Sequence, residues 1–139
     1  MAEEELASRL IIADTSAIVA FTDRRDQRYA ESVAVISTTN EIVIPAVIMS
    51  EVAFMVESRL GAFAMDSLLG DIERGAFVID VGSHDLPRIR QLIRRYADLP
   101  LGYADASVIE CAERRGGRIL TFDHHFHVVA GEGTFSLVP

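Results

Sequence analysis

Apolar residues along this chain fall into short continuous runs separated by longer stretches of helical spacing. The run Leu10-Ile11-Ile12-Ala13 has no polar face, the pattern of a strand buried on both sides in a parallel sheet. It ends on Asp14, after which Ala17 to Phe21 show no alternation and predict a helix start. Thr22 to Asp26 is a polar break, and Gln27 to Thr38 carries Tyr29, Val33 and Ile36 or Ser37 at helical spacing. Glu41-Ile42-Val43-Ile44-Pro45 predicts a second strand, stopped by a proline that suits the first turn of the next helix.

That helix is expected from about Ala46 to Leu60, with Gly61 closing it, and another from Ala62 to Arg74 before Gly75. Ala76 to Val81 predicts a third strand. Ser83 to Pro87 predicts the cap of a helix reaching Tyr96 or Ala97, and Asp98 to Gly102 breaks it. Tyr103 to Arg115 predicts a further helix ended by Gly116-Gly117. Arg118 to Phe122 and Thr134 to Val138 complete the strands. Strand and helix alternate throughout, with no repeat and no linker, which makes the fold class α/β. Residues 1–8 read as an acidic lead-in and 9–139 as one domain.

Four acids stand out against this pattern. Asp14 and Asp123 each sit at the carboxyl end of a short apolar strand, where open α/β sheets place functional groups. Glu51 has Val47, Ile48, Phe54 and Met55 as its helical neighbours, and Asp105 shares a stripe with Val108, Ile109 and Ala112. Both helix acids are therefore expected on inward faces, where a carboxylate is costly to bury alone. Taken singly, Asp14 could be a helix cap, and Glu51 or Asp105 the partner of an arginine. Asp80 precedes Val81 and is not expected in the same crevice. If the four converge, their mutual repulsion raises some of their pKa values, and a divalent cation relieves it. An all-oxygen site suits Mg²⁺ or Mn²⁺, and the chemistry it serves best is hydrolysis of a phosphodiester.

Composition narrows the classes. Among 139 residues there are 21 acidic and 13 basic side chains, giving a formal charge of -8, and every basic one is arginine. The absence of lysine sets aside P-loop nucleotide sites, Schiff-base enzymes and phospho-acceptor receivers. The acidic balance argues against generic adhesion to nucleic acid, but not against a nucleic-acid enzyme whose carboxylates hold metal. The single cysteine, Cys111, excludes an internal disulfide and reads as core. There is no apolar signal segment and no run of membrane-spanning length, so a soluble, cytoplasmic protein is expected.

Four stretches resemble a known family in register: Ile12-Ala13-Asp14-Thr15-Ser16-Ala17-Ile18, Ser50-Glu51-Val52, Leu101-Gly102-Tyr103-Ala104-Asp105-Ala106 and Leu120-Thr121-Phe122-Asp123-His124-His125-Phe126. The chain resembles the PIN domain, and within it the VapC-type toxins of bacterial toxin-antitoxin pairs. The resemblance implies a compact three-layer α/β/α fold on a mainly parallel sheet of four to five strands. It also implies a Mg²⁺-dependent endoribonuclease held inactive by a cognate antitoxin. The family's acidic site falls on Asp14, Glu51, Asp105 and Asp123, as metal ligands and catalytic groups, with Ser16 and Thr121 at supporting hydroxyl positions.

Two readings from other classes compete: a phosphatase using Asp14 as nucleophile, and a non-catalytic module whose acid cluster receives a partner's arginine. The first lacks a second aspartate at Ser16 and a lysine to hold phosphate. His124, His125 and His127 do not read as a zinc cage, since adjacent histidines do not easily face one ion from a helix; His124 or His125 could instead touch a scissile phosphate. Arg24-Arg25-Arg28, Arg88 to Arg95 and Arg114-Arg115-Arg118 are candidate contacts to an RNA backbone. The apolar surplus of residues 46–72 is read either as plain core or as a homodimer interface or an antitoxin groove.

Overall fold

A computed structural model describes residues 10–82 and 85–139. The lead-in at 1–8 and the Ser83-His84 part of the helix cap lie outside the described residues. In chain order the elements are β1 (Leu10–Ala13), α1 (Thr15–Thr22), α2 (Tyr29–Thr38), β2 (Glu41–Pro45), α3 (Met49–Leu60) after a 3-10 turn at Ala46–Ile48, and α4 (Ala62–Glu73). Then follow β3 (Val78–Asp80), α5 (Leu86–Arg95), α6 (Tyr103–Arg115), β4 (Arg118–Leu120), α7 (His125–Ala130) and β5 (Ser136–Val138).

The five strands form one sheet in the order β3-β2-β1-β4-β5, and every neighbouring pair is parallel. Ile11 of β1 pairs with Ile42 on one side and Arg118 on the other, so β1 is the centre of the sheet. That explains its unbroken apolar run: Ile11, Ile12 and Ala13 are fully buried, and each isoleucine contributes roughly 1.5–3 kcal/mol through burial. Successive strands step from β1 out to β3, and the chain then returns to the opposite side of β1 to lay down β4 and β5. With right-handed crossovers, that reversal puts α1 to α4 on one face of the sheet and α5 to α7 on the other. The result is three layers.

Local sequence explains the joints. Gly116 takes a left-handed φ of 62° and ends α6. Gly117 then passes so close to β1 that a Cβ would stand 2.6 Å from Leu10 Cδ2. The glycine pair therefore both stops the helix and admits β4 to the sheet.

Two helical faces differ from the sequence expectation. In α2 the buried residue is Ser32, one position round from the predicted Tyr29–Val33–Ile36 stripe. Its hydroxyl donates to the Ala17 carbonyl of α1 at 2.9 Å, so a small polar side chain rather than an apolar one fits the close approach of the two helices. In α3 the inward stripe is Val52 and Val56, continuing from Ile48, and Phe54 is 72 % exposed. Glu51 is consequently exposed rather than inward-facing. A further short helix, α7, follows the exit of β4, anchored by the buried Phe126 and Val129. Among the described residues no helix is long and apolar enough to cross a membrane.

Candidate functional site

The strand order reverses between β1 and β4, and at such a switch point the two outgoing chains part and leave a crevice beyond the carboxyl ends of the strands. Asp14 leaves β1 there, its amide bonded to the Leu120 carbonyl at 3.0 Å. Thr121, Phe122 and Asp123 leave β4 beside it. Asp14 is 5 % exposed, too buried to be a plain helix cap, and its side chain makes no capping hydrogen bond to α1.

Two hydroxyls hold that carboxylate instead. Thr121 Oγ1 donates to Asp14 Oδ2 at 2.8 Å, and Ser16 Oγ lies 3.3 Å from the same oxygen. Each hydroxyl also accepts a backbone amide from the β4 exit: Phe122 N–H to Ser16 Oγ and Asp123 N–H to Thr121 Oγ1, both at 3.0 Å. Ser16 and Thr121 thus tie the two strand ends together, as the motif match implied. Burial pushes the Asp14 carboxyl up to about 6, the Thr121 hydrogen bond working against it, and the charges of Asp105 and Asp123 push it further in the same direction.

Asp105 enters from the first turn of α6 and is half-buried. Its pKa is raised first by desolvation and then by Asp123, with Glu51 adding to the rise and the Gly102 amide opposing it. Asp123 Oδ1 accepts a hydrogen bond from the His125 backbone N–H at 3.0 Å. Glu51, exposed on α3, stands at the rim of the same group, close enough for its charge to be felt at Asp105. Asp105 is therefore within electrostatic reach of acids from three other segments, Asp14, Asp123 and Glu51. Asp80 is not among them: it lies under Arg114 and Arg115, which bond it at 2.7 Å and 2.6 Å and hold its carboxyl well below the usual range.

The donor chemistry fits a divalent ion. Asp105, Asp123 and His125 each offer one ligand atom, and those atoms all lie within 4.8 Å of one another. Three facing groups at such spacing can close on one ion, and the elevated acids of the pocket gain from a positive neighbour. His125 is the member that sequence reasoning set aside. Its signal was the spacing Asp-x-His, which lets the residue after next on a new helix turn back toward the acid.

Of the three arginine groups, two serve the fold. Arg88 pairs Glu113 at 2.7 Å and Glu132 at 2.9 Å, and Arg114 and Arg115 hold Asp80. Arg28 is the one beside the crevice, 5.4 Å above the Phe122 ring and paired with the exposed Glu31. Cys111 is buried, with its thiol pushed up to about 12, and is inert.

Comparison with known proteins agrees with this architecture. A family model described as "PIN domain" matches residues 11–132. Ribonuclease VapC26 of Mycobacterium tuberculosis is 29 % identical over 135 residues, covering 93 % of this chain and all of that protein. The crystal structure of Mycobacterium tuberculosis VapC20, a Sarcin-Ricin loop cleaving toxin, superposes with a TM-score of 0.76 at 16 % identity, over 86 % of this chain and 94 % of that one. VapBC2 from Rickettsia felis, bound to a DNA fragment from its promoter, gives 0.66 at 15 % identity, over 93 % and 97 % of the two chains. FitAcB from Neisseria gonorrhoeae gives 0.63 at 17 % identity, over 93 % and 96 %.

Proposed function

Because the chain belongs to the PIN domain family, we propose that it is a metal-dependent endoribonuclease, the toxin of a toxin-antitoxin pair, hydrolysing RNA at the Asp14, Glu51, Asp105 and Asp123 site. The observation that carries the reading is the gathering of acids at one crevice: Asp105 and Asp123 present oxygens within 4.8 Å of each other, and both charges are felt at the buried Asp14. Carboxylates that repel one another in a half-desolvated crevice are a cost to the fold unless a cation is held there. A bound Mg²⁺ or Mn²⁺ supplies a lowered pKa for an attacking water and offsets negative charge on an in-line phosphoryl transition state.

The chain's own residues have separable parts in this. Asp14 and Asp105 would hold the ion directly, with Asp14 oriented by the Thr121 and Ser16 hydroxyls at Oδ2. Asp123 would complete the carboxylates around the ion, and Glu51, exposed at the rim, would help position the attacking water. Attack on the phosphorus expels the 3′-oxygen, leaving a 5′-phosphate and a 3′-hydroxyl. Burial of Asp14 with Oδ2 hydrogen-bonded also disfavours the competing aspartyl-phosphatase reading, which needs an exposed nucleophile. Arg28, on the crevice side, is the best placed of the arginines to meet the RNA backbone.

Relatives that bear the VapC and VapBC names support an antitoxin as partner. The exposed Phe54 and Phe63 of α3 and α4 give such a partner, or a second copy, an apolar surface. Purified protein incubated with total RNA, with Mg²⁺ and with chelator, tests the function. Cleavage that needs the ion, gives 5′-phosphate ends and disappears in Asp14→Asn and Asp105→Asn is expected. Folded variants that cut RNA as fast as the parent overturn the reading.

A further inference from the structure

We propose that His125 supplies a nitrogen ligand to the ion held by Asp105 and Asp123, so that this site prefers Mn²⁺ over Mg²⁺. The inference rests on the metal-site reading above and goes beyond it, since that reading calls for oxygen donors alone.

The geometry is specific to one of the three neighbouring histidines. His125 Nδ1 lies 3.5 Å from Asp123 Oδ1, and the same oxygen receives the His125 backbone N–H at 3.0 Å. The backbone hydrogen bond ties the residue to the acid it accompanies, with the ring beside that acid. His125 opens α7, whose next residue, Phe126, is fully buried and pins the helix start against the core. Its imidazole is part-buried at the crevice, with a ring nitrogen inside the 4.8 Å group formed with Asp105 and Asp123. His124 and His127 turn elsewhere: their rings stand 5.8 Å apart, beside Arg28 and Pro139. A three-point site of two carboxylates and one imidazole, drawn from α6, the β4 exit and α7, is the result.

Imidazole is a poor match for Mg²⁺, which keeps its waters and takes oxygen ligands, and a better match for first-row transition ions. Replacing one water of a carboxylate-bound ion by this ring therefore gains more for Mn²⁺ than for Mg²⁺. Because the backbone of His125 is bonded to Asp123 and the next residue, Phe126, is buried, little ordering is needed on binding.

Pulsed EPR of Mn²⁺ added to the full chain reads the bond without reference to catalysis. Nitrogen hyperfine modulation is expected in the parent and in a His124→Ala, His127→Ala double variant, and its loss in His125→Ala. Titration should show Mn²⁺ binding weakened about tenfold in His125→Ala, with Mg²⁺ affinity changed far less. Mn²⁺ that binds the parent with no nitrogen coupling, or coupling that survives His125→Ala, overturns the inference and leaves the carboxylate site standing. No stoichiometric Mn²⁺ binding at all overturns both. Should His125→Ala fail to fold, the parent and the double variant decide the matter by themselves.

Discussion

Thr121 Oγ1 stands 2.8 Å from Asp14 Oδ2 although 107 positions separate the two residues. The hydroxyl favours the ionised carboxylate and opposes the burial that pushes Asp14 up to about 6. Thr121→Val removes that support and raises Asp14 further, so the acid limb of the pH–rate profile moves to higher pH. Hydrogen bonds to charged groups are worth about 1.5–3 kcal/mol, and cleavage near neutrality should fall by about tenfold or more. The loss should shrink in alkaline buffer, and a drop that is equal at every pH would count against this role.

Asp14→Asn should separate stability from activity. The raised pKa of Asp14 gives stability that is fully present below its ordinary 3.8 and is lost as pH rises through about 6. Above that, the metal-free fold carries a strained charge that asparagine removes while keeping an acceptor for Thr121. Urea unfolding near pH 7.5 without divalent ions should show the variant more stable by roughly 2 kcal/mol. The parent alone should be stabilised by Mn²⁺.

Asp80 carries the opposite sign. Arg114 and Arg115 hold its carboxyl well below the usual range, so its contribution is present above the ordinary carboxylate pKa and is lost as pH falls below it. Asp80 is 5 % exposed on its side chain while the arginines are 30 % and 29 % exposed. Asp80→Asn should therefore destabilise by about 3 kcal/mol, as removal of one partner of a buried pair does. It should also flatten the acid side of the stability–pH curve followed by circular dichroism.

Glu51→Gln is the mild case. The side chain is exposed, so the melting temperature should stay within the range of ordinary surface changes, about 0.5 kcal/mol. Cleavage should still slow, because one negative charge leaves the rim of the group that includes Asp105. Metal affinity measured by titration should fall less than in Asp105→Asn.

Strand positions and helix ends were readable from the chain because each is decided locally. The apolar runs of β1 and β2, the proline after Ile44 and the glycine pair after α6 are signals that do not depend on distant residues. The sequence also marked the four acids, since strand ends and interrupted apolar stripes are visible in one dimension. The orientation of Glu51 was not legible: its neighbours Phe54 and Met55 are apolar, but Phe54 faces solvent, and hydrophobicity alone does not tell a core face from an exposed apolar one. Ser32 was missed because a buried hydroxyl looks polar until its acceptor, the Ala17 carbonyl, is known. The place of His125 depends on where α7 begins, which a stretch of six residues leaves open.

The central position of β1, flanked by β2 and by β4, has a consequence for the order of synthesis. A nascent polypeptide that has reached α6 already contains Asp14, Glu51 and Asp105, yet it lacks the hydroxyl and the acid that β4 delivers. Synthesis must therefore pass β4 before this acidic crevice can assemble. The crevice is thus a late product of the ribosome, closed only by the strand that slots in beside β1 from its far side.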